Sequence, residues 1–441
     1  MPEPPDRWKW FSESRFGLFI HWGPYAALGR GEQVLYREHL DQREYAEAAC
    51  AWRPCSFDAE RWADVARRAG VKYAVLTTRH HDGYCLWDSR HTDYTSAAQA
   101  AKRDFVKEFA EAFRAAGLRV GFYYSLGDWR IPGFWEGPGR NPEGWGIFRQ
   151  YVHDQVRELL SNYGRVDVLW FDGAWPHTAE DWGAQEIIEM ARGLQPEILI
   201  NNRFGPSKEE PGMGEVNRSL KLGDFGTPEH EITADPNRLW ESCQVSTWRL
   251  WGYTAGERWR GADVLLDTLC QSAHKGGNLL LNVGPDAEGH FPSKFVERAL
   301  RIGRWLQSHG EAIYGTQGGD VTEFVTRGWQ TVRDNCLYLI FRFWEGGREL
   351  RLADLMTSVC RATLLGSNQE LEFAQEEGEL ILRGLPNQPP TDLFPVIRLE
   401  CSGRPESNEW GKDRLWQGDP LFRVGWARGR GESVYTDGKP R

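Results

Sequence analysis

The 441-residue chain has no run of the roughly 20 apolar residues that a membrane-crossing helix needs. Its first residues, Met1-Pro-Glu-Pro-Pro-Asp-Arg-Trp8, lack the cationic start and apolar stretch of a secretory leader. Cysteines number eight, at 50, 55, 85, 243, 270, 336, 360 and 401, and none shows the paired spacing of a metal finger. Reduced thiols in a cytoplasmic protein are therefore the expectation. A basic footprint is missing as well: the net charge is -10 with both signs spread along the chain, so neither nucleic acid nor a membrane is expected as a partner. There is no low-complexity tract, no internal repeat beyond alternation of strands and helices, and no glycine-rich phosphate loop after the first strand.

What the chain does have is aromatic surface, with 22 tryptophans. Flat indoles suit the apolar faces of sugar rings as well as large cores, and composition does not choose between the two. From about residue 15 to 310, short apolar runs alternate with amphipathic helical stretches. The strands expected are Phe16–Ile20, Lys72–Thr77, Arg119–Tyr124, Val166–Phe171, Glu197–Asn201 and Gly277–Asn282, with a weaker one near Trp240–Val245. Between them, Trp62, Val65, Ala66 and Ala69 fall on one helical face ahead of Gly70, and Phe105, Phe109, Ala112, Phe113 and Ala116 do so ahead of Gly117. Phe295, Ala299, Ile302 and Leu306 form a third stripe. This pattern predicts an α/β fold, a (β/α)8-like barrel of the TIM type over 1–318. Short strand-like runs broken by Gly, Asn and Pro then predict a small antiparallel β-sandwich over 319–402. A polar, glycine-rich tail occupies 403–441.

The stretch Val166-Asp-Val-Leu-Trp-Phe-Asp172-Gly173 reads as a buried strand ending in an acid. A carboxylate there either caps the next helix or does chemistry. Asp167, inside the run, is placed near the strand's start. In a parallel barrel the active site lies where strands end, and polar or aromatic residues follow most of these strands. They are His21-Trp22-Gly23, Arg79-His80-His81-Asp82-Gly83, Ser125 to Trp129, Asp172-Gly173, Asn201-Asn202-Arg203 and Glu241. Adjacent histidines in extended chain point opposite ways and the helical spacing of zinc hydrolases is absent, so neither a metal nor a cofactor is expected. A ring of His, Arg, Trp, Tyr and carboxylates suits a neutral polyhydroxylated substrate. Glycoside cleavage needs two carboxyl groups; Asp172 fits one, and Glu229, Glu231 or Glu241 supplies the other.

These motifs, in order, resemble glycoside hydrolase family 29, the α-L-fucosidases. The resemblance rests on Phe16-Gly-Leu-Phe-Ile-His21-Trp22-Gly23, Gly31-Glu32 with Tyr36, His80-His81-Asp82-Gly83 with Trp87, Gly121-Phe-Tyr-Tyr-Ser125, Trp170-Phe-Asp172-Gly173 and Asn201-Asn-Arg203. Trp240-Glu241-Ser-Cys243, Trp251-Gly-Tyr253, Asn278 to Pro285 and Gly310 to Gly315 continue it, so that it spans residues 8 to 317. It implies a retaining exo-hydrolase that removes terminal α-L-fucosyl residues from a fucosylated oligosaccharide or glycoconjugate by double displacement.

On that resemblance Asp172 is the nucleophile, Glu229 the first candidate for acid/base and Glu241 the second. His21, His80, His81, Glu32 and Arg203 bind the sugar, with Trp22 and Trp170 beside them and either Tyr123 or Tyr124, of which Tyr124 is preferred. The methyl group of fucose is expected against Trp170 or Phe171. Two departures stand out: Gln33 follows Glu32 where the family commonly has Trp, and Cys243 to Trp251 is longer and bulkier than usual. The rival readings are a retaining glycosidase for a related sugar such as an α-L-galactoside, and a non-catalytic sugar-binding barrel. Whether the chain forms a homo-oligomer is left open.

Overall fold

The computed structural model describes residues 5–207, 222–407 apart from 236, 323, 325, 348, 377 and 378, and residues 435, 436, 439 and 440. Most of the tail expected over 403–441 thus lies outside the described residues. The chain forms two compact units, Met1–Ser272 with Gly277–Gln307 and Ala273–Gly276 with Ser308–Arg441. The division falls at Ser308, ahead of the sequence-based boundary at 319, because the short strand Gln317–Gly318 pairs with Gly328–Arg333 of the second unit.

The first unit is a barrel of eight parallel strands. They are β1 Phe16–Ile20, β2 Tyr73–Arg79, β3 Arg119–Ser125, β4 Val168–Asp172, β5 Leu199–Ile200, β6 Phe225–Gly226, β7 Leu239–Val245 and β8 Asn278–Val283. Their order is β5-β4-β3-β2-β1-β8-β7-β6, and a parallel bridge between Asn201 and Phe225 closes the ring. At two residues, β6 is too short to show any periodicity, which is why no strand is expected there from sequence.

Helices cover the outside, and in two of them the start and the stop are set by local chemistry. The helix Ala59–Arg68 begins where Asp58 accepts from Arg61 N at 3.0 Å, and Phe105–Ala115 where Asp104 accepts from Lys107 N at 2.8 Å. Both lead into glycines with positive φ, Gly70 and Gly117. Their buried faces carry Trp62, Ala63 and Ala66, and Phe105, Phe109 and Phe113.

Strand alternation decides which side chains enter the barrel. Phe19, Tyr73, Val75, Tyr123, Val168, Trp170, Leu199, Phe225, Cys243 and Leu280 form one interior cluster, with Phe11 from the N-terminal helix closing its lower end. Phe11 packs on Tyr73 and Phe225, and its carbonyl accepts from Asn278 Nδ2 at 2.8 Å. Asp167 sits just before β4, buried between Arg119 at 2.7 Å and Arg165 at 2.9 Å, so its charge is compensated and it takes no part in the barrel interior.

The second unit is a sandwich. A six-stranded antiparallel sheet built around Val359–Leu364, Val396–Cys401, Cys336–Phe341 and Gly328–Arg333 faces a three-stranded sheet of Leu350–Leu352, Glu379–Arg383 and Glu372–Glu376. Leu337, Leu339, Leu380, Leu382, Ile397 and Leu399 meet between them.

Candidate active site

A cavity of about 130 Å³ opens at the C-terminal end of the barrel strands, with Asp172 in its wall. The carboxylate leaves the last residue of β4, its side chain 17% exposed. The strand end is fixed from behind: Asn201 accepts from Phe171 N at 2.8 Å and donates to Phe171 O at 2.9 Å. The next residue must be glycine for two reasons. Gly173 has φ +66, and a Cβ there would lie 2.9 Å from the His81 ring and from Ser125 Oγ.

Among the described residues two groups donate to the Asp172 carboxylate and a third stands close to it. Tyr123 donates its hydroxyl to Oδ2 at 3.0 Å, Arg203 Nη1 donates to Oδ1 at 3.2 Å, and His81 Nε2 stands 3.7 Å from Oδ2. The same Arg203 Nη1 lies 2.9 Å from Glu229 Oε2. With one nitrogen 3.2 Å from the first oxygen and 2.9 Å from the second, those two oxygens are at most about 6 Å apart, a limit that admits the separation of about 5–5.5 Å of a retaining carboxylate pair. Arg203 is itself anchored by Thr227, whose hydroxyl accepts from Nε at 2.9 Å and whose carbonyl accepts from Nη2 at 3.1 Å, and it lies over the Trp170 ring. Burial would weaken the guanidinium as a base; its acidic neighbours, Glu229 foremost, outweigh that and raise its pKa.

Glu229 follows β6 on a segment laid along β7 by the pairs His230 N to Cys243 O and Cys243 N to Pro228 O. Its side chain is 32% exposed at the cavity mouth, with His230 Nε2 3.8 Å from Oε1. His230 in turn stacks on Trp251, at 4.9 Å between ring centroids.

The three histidines are buried and line the cavity together. Asn282 donates from Nδ2 to Trp251 O at 2.7 Å, which leaves its Oδ1 to accept from His21 Nδ1 at 2.7 Å. Likewise Ser125 gives its proton to Gly127 O at 2.7 Å and so accepts from His81 Nδ1 at 2.7 Å. These networks assign the protons of both rings to Nδ1 and leave each Nε2 as an acceptor. Burial keeps the imidazoles neutral: it pushes His21 down to about 3 and lowers His80 and His81 too, with Asp172 opposing the shift at His21 and His81. His80 stacks nearly parallel on Tyr123, with a 6° angle between the rings. Among the described residues no three His, Cys, Asp or Glu side chains come together as a metal-binding group.

Five of the residues expected at the site stand elsewhere. Tyr124 is one residue out of phase with Asp172: it points outward, donates to Gln155 Oε1 at 2.9 Å and lies under Arg79, so Tyr123 is the tyrosine of the cavity. Trp22 turns into an aromatic cluster with Trp52, Phe57, Trp62 and Phe105, away from the cavity. Phe171 also faces outward, against Phe204 and Tyr124, which leaves Trp170 with Phe19 and Trp251 as the apolar wall. Glu241 lies lower in the barrel, in register with Asn278 at the start of β8. It accepts from Tyr73 Oη and, at 2.8 Å, from Trp170 Nε1, and complete burial pushes its carboxyl up to about 7. Glu32 is buried behind the wall, where Oε2 accepts from Trp251 N at 3.1 Å and Gly252 N at 2.8 Å and so sets the turn that presents Trp251. Gln33 lines the cavity in the place where a Trp is common in the resembling family.

Sequence reasoning passes over Trp251 and Trp175 as cavity residues. Trp251 carries a signal in its Trp-Gly-Tyr motif; Trp175, on the loop after Gly173, carries none.

A parallel barrel with two carboxylates bridged by one guanidinium, ringed by neutral imidazoles and indoles, defines a glycoside hydrolase. The family described as Alpha-L-fucosidase matches residues 5–311. The chain belongs to that family. It is 29% identical to the tissue alpha-L-fucosidase of Rattus norvegicus over 414 residues, 88% of this chain and 87% of that one. Among solved structures, alpha-L-fucosidase isoenzyme 1 from Paenibacillus thiaminolyticus is similar with a TM-score of 0.79 at 35% identity, covering 90% of this chain and 99% of that one. A GH29 alpha-L-fucosidase from Bacteroides thetaiotaomicron, trapped as a covalent intermediate with 2-fluoro-fucosyl fluoride, gives a TM-score of 0.81 at 27% identity over 90% and 97% of the two chains.

Proposed function

We propose that this protein removes terminal α-L-fucosyl residues from fucosylated glycans with retention of configuration, Asp172 acting as nucleophile and Glu229 as acid/base. The observation that carries the assignment is the single nitrogen of Arg203 shared between the two carboxylates.

In the first step an Asp172 oxygen bonds to the anomeric carbon, the bond to the leaving oxygen breaks, and the proton of Glu229 passes to that oxygen. In the second, Glu229 takes a proton from water, the water oxygen bonds to the anomeric carbon, and Asp172 departs as a carboxylate. Arg203 faces one anion at each stage: Asp172 before attack, Glu229 once Asp172 is esterified. A cation beside a carboxyl group favours its ionised form, so Arg203 supports whichever anion is present at each stage. Tyr123 and Arg203 hold Asp172 in one orientation, so little ordering remains to be done at attack.

The Nε2 atoms of His21 and His81 supply acceptors for sugar hydroxyls, and Phe19, Trp170 and Trp251 an apolar wall for the methyl group. Incubation with α-L-fucosides, with NMR used to follow the sugar as it is released, tests the reading. The α anomer of fucose should appear first; initial release of the β anomer would overturn the double displacement.

A further inference from the structure

The barrel unit leaves three large aromatic side chains exposed among its described residues, Tyr36 at 51%, Trp135 at 41% and Trp248 at 55%. All three sit on segments that follow strands, β1, β3 and β7, on the side where the cavity opens. The exposed aliphatics Ile147, Leu194 and Val264 lie on the helices Pro142–Asn162, Ala184–Leu194 and Ala262–His274, whereas Tyr36 and Trp135 lie on the short helices Val34–Arg37 and Pro132–Arg140 that follow β1 and β3. Scattered surface apolar residues need no explanation, but a grouping at the mouth of a site does.

Tyr36 and Trp135 come together. Their rings are nearly parallel, at 13°, with centroids 6.1 Å apart, an offset arrangement that leaves much of each face open. Both are held in place: Trp135 donates its indole N–H to Trp129 O at 2.9 Å, and Tyr36 packs on the buried Trp129 ring at 5.3 Å. Trp129 reaches the cavity by its contact with His81 at 5.1 Å. A second path runs from Trp135 through Phe134 to Trp175, another cavity residue. Ring-to-ring packing through the buried Trp129 and Phe134 thus fixes the exposed pair against the His81 and Trp175 side of the cavity. Gln33, three residues before Tyr36, stands in the cavity wall, and its Oε1 accepts from Arg37 Nε at 3.0 Å. That brings a polar edge of amide and guanidinium up to the rings.

We infer that Tyr36 and Trp135 form a second binding site, a platform that takes the apolar face of the pyranose unit carrying the fucosyl group. The inference rests on the fucosidase reading of the cavity and adds a choice of substrate to it: glycans with a ring in that position are preferred over simple fucosides. The occupant is a sugar because the platform stands beside the sugar site, three residues from the cavity-lining Gln33, is made of ring faces, and is bordered by hydrogen-bonding groups at its edge.

The test compares α-L-fucosyl fluoride, whose leaving group has no ring, with a panel of fucosylated di- and trisaccharides, in the full chain and in the Tyr36→Ala and Trp135→Ala variants. On the panel's best oligosaccharide each variant should lose about tenfold in kcat/KM, mainly through KM, while the rate on the fluoride changes less than about twofold. Tyr36→Phe should keep most of the oligosaccharide activity. Equal losses on both substrates, no loss on either, or a change of mass in light scattering that marks the rings as covered by a second copy would each overturn the platform. If the wild-type protein fails on the fluoride itself, it is the fucosidase reading that falls.

Discussion

Tyr123 donates to Asp172 across neighbouring strands at 3.0 Å, two residues out of register, since Tyr123 pairs with Trp170 and Ser125 with Asp172. The hydroxyl thus rises from the layer below onto the proposed nucleophile. Tyr123→Phe should lower kcat by about one to two orders of magnitude by removing a charge-assisted donor, with little change in fold. Tyr124→Phe, which loses only the bond to Gln155 Oε1, should leave kcat near wild type. The reverse pattern on an aryl fucoside would return the role to Tyr124.

Asp172→Gly removes the attacking group and should cut turnover by roughly three to five orders of magnitude. Added azide should restore part of the rate and give the fucosyl azide of inverted configuration, identifiable by NMR. Turnover near wild type in this variant would end the assignment of the nucleophile.

The two glutamates should separate by leaving group. Glu229→Gln should lose most activity on fucosides of poor leaving groups and far less on an activated aryl fucoside, because only the former need a proton. Glu241→Leu should instead lower stability by about 3 kcal/mol, read by urea unfolding, since Tyr73 Oη and Trp170 Nε1 lose their acceptor inside the barrel. A leaving-group dependence in an isosteric Glu241→Gln variant would reverse the assignment.

Stability should respond to pH with opposite signs from two buried sets. Glu241 is raised to about 7, so between the ordinary carboxyl range and pH 7 the native state binds the proton that the unfolded chain has lost, and stability falls as pH rises through that window. His21, lowered to about 3, does the opposite: between about 3 and 6.5 the unfolded chain binds the extra proton, and stability rises with pH. Glu241→Gln should therefore make urea stability rise more steeply between pH 5 and 7 than in wild type, on the order of 1 kcal/mol per pH unit at most. An unchanged slope would mean that Glu241 is not protonated in the native barrel.

Much of this was legible in advance because strand ends are coded locally. The apolar run into Asp172 and Gly173, the His80-His81 pair and Asn201-Asn202-Arg203 each mark a strand terminus, and the structure brings Asp172, the histidines and Arg203 around one cavity. Facing is harder to read. Tyr123 and Tyr124 differ only in phase, which β3 takes from its pairing with β4, so no local feature of the pair selects one. Trp22 follows His21 and looks equally close to the site, yet the next turn of chain sends it into the cluster of Trp52, Phe57 and Trp62. Glu241 groups with the strand-end residues in sequence although the weaker strand expected near Trp240–Val245 puts it close to that strand's start, and β7, from Leu239 to Val245, leaves it near the lower end.

The Phe11 plug gives the cavity a temporal order. With the lower end of the barrel sealed by that ring and by the bond from Asn278 to its carbonyl, traffic among the described residues is confined to the rim. On the proposed double displacement the departing glycan then leaves by that mouth before water reaches the esterified sugar, and fucose leaves last by the same way. A single opening of this kind would let accumulated fucose compete with the next substrate molecule.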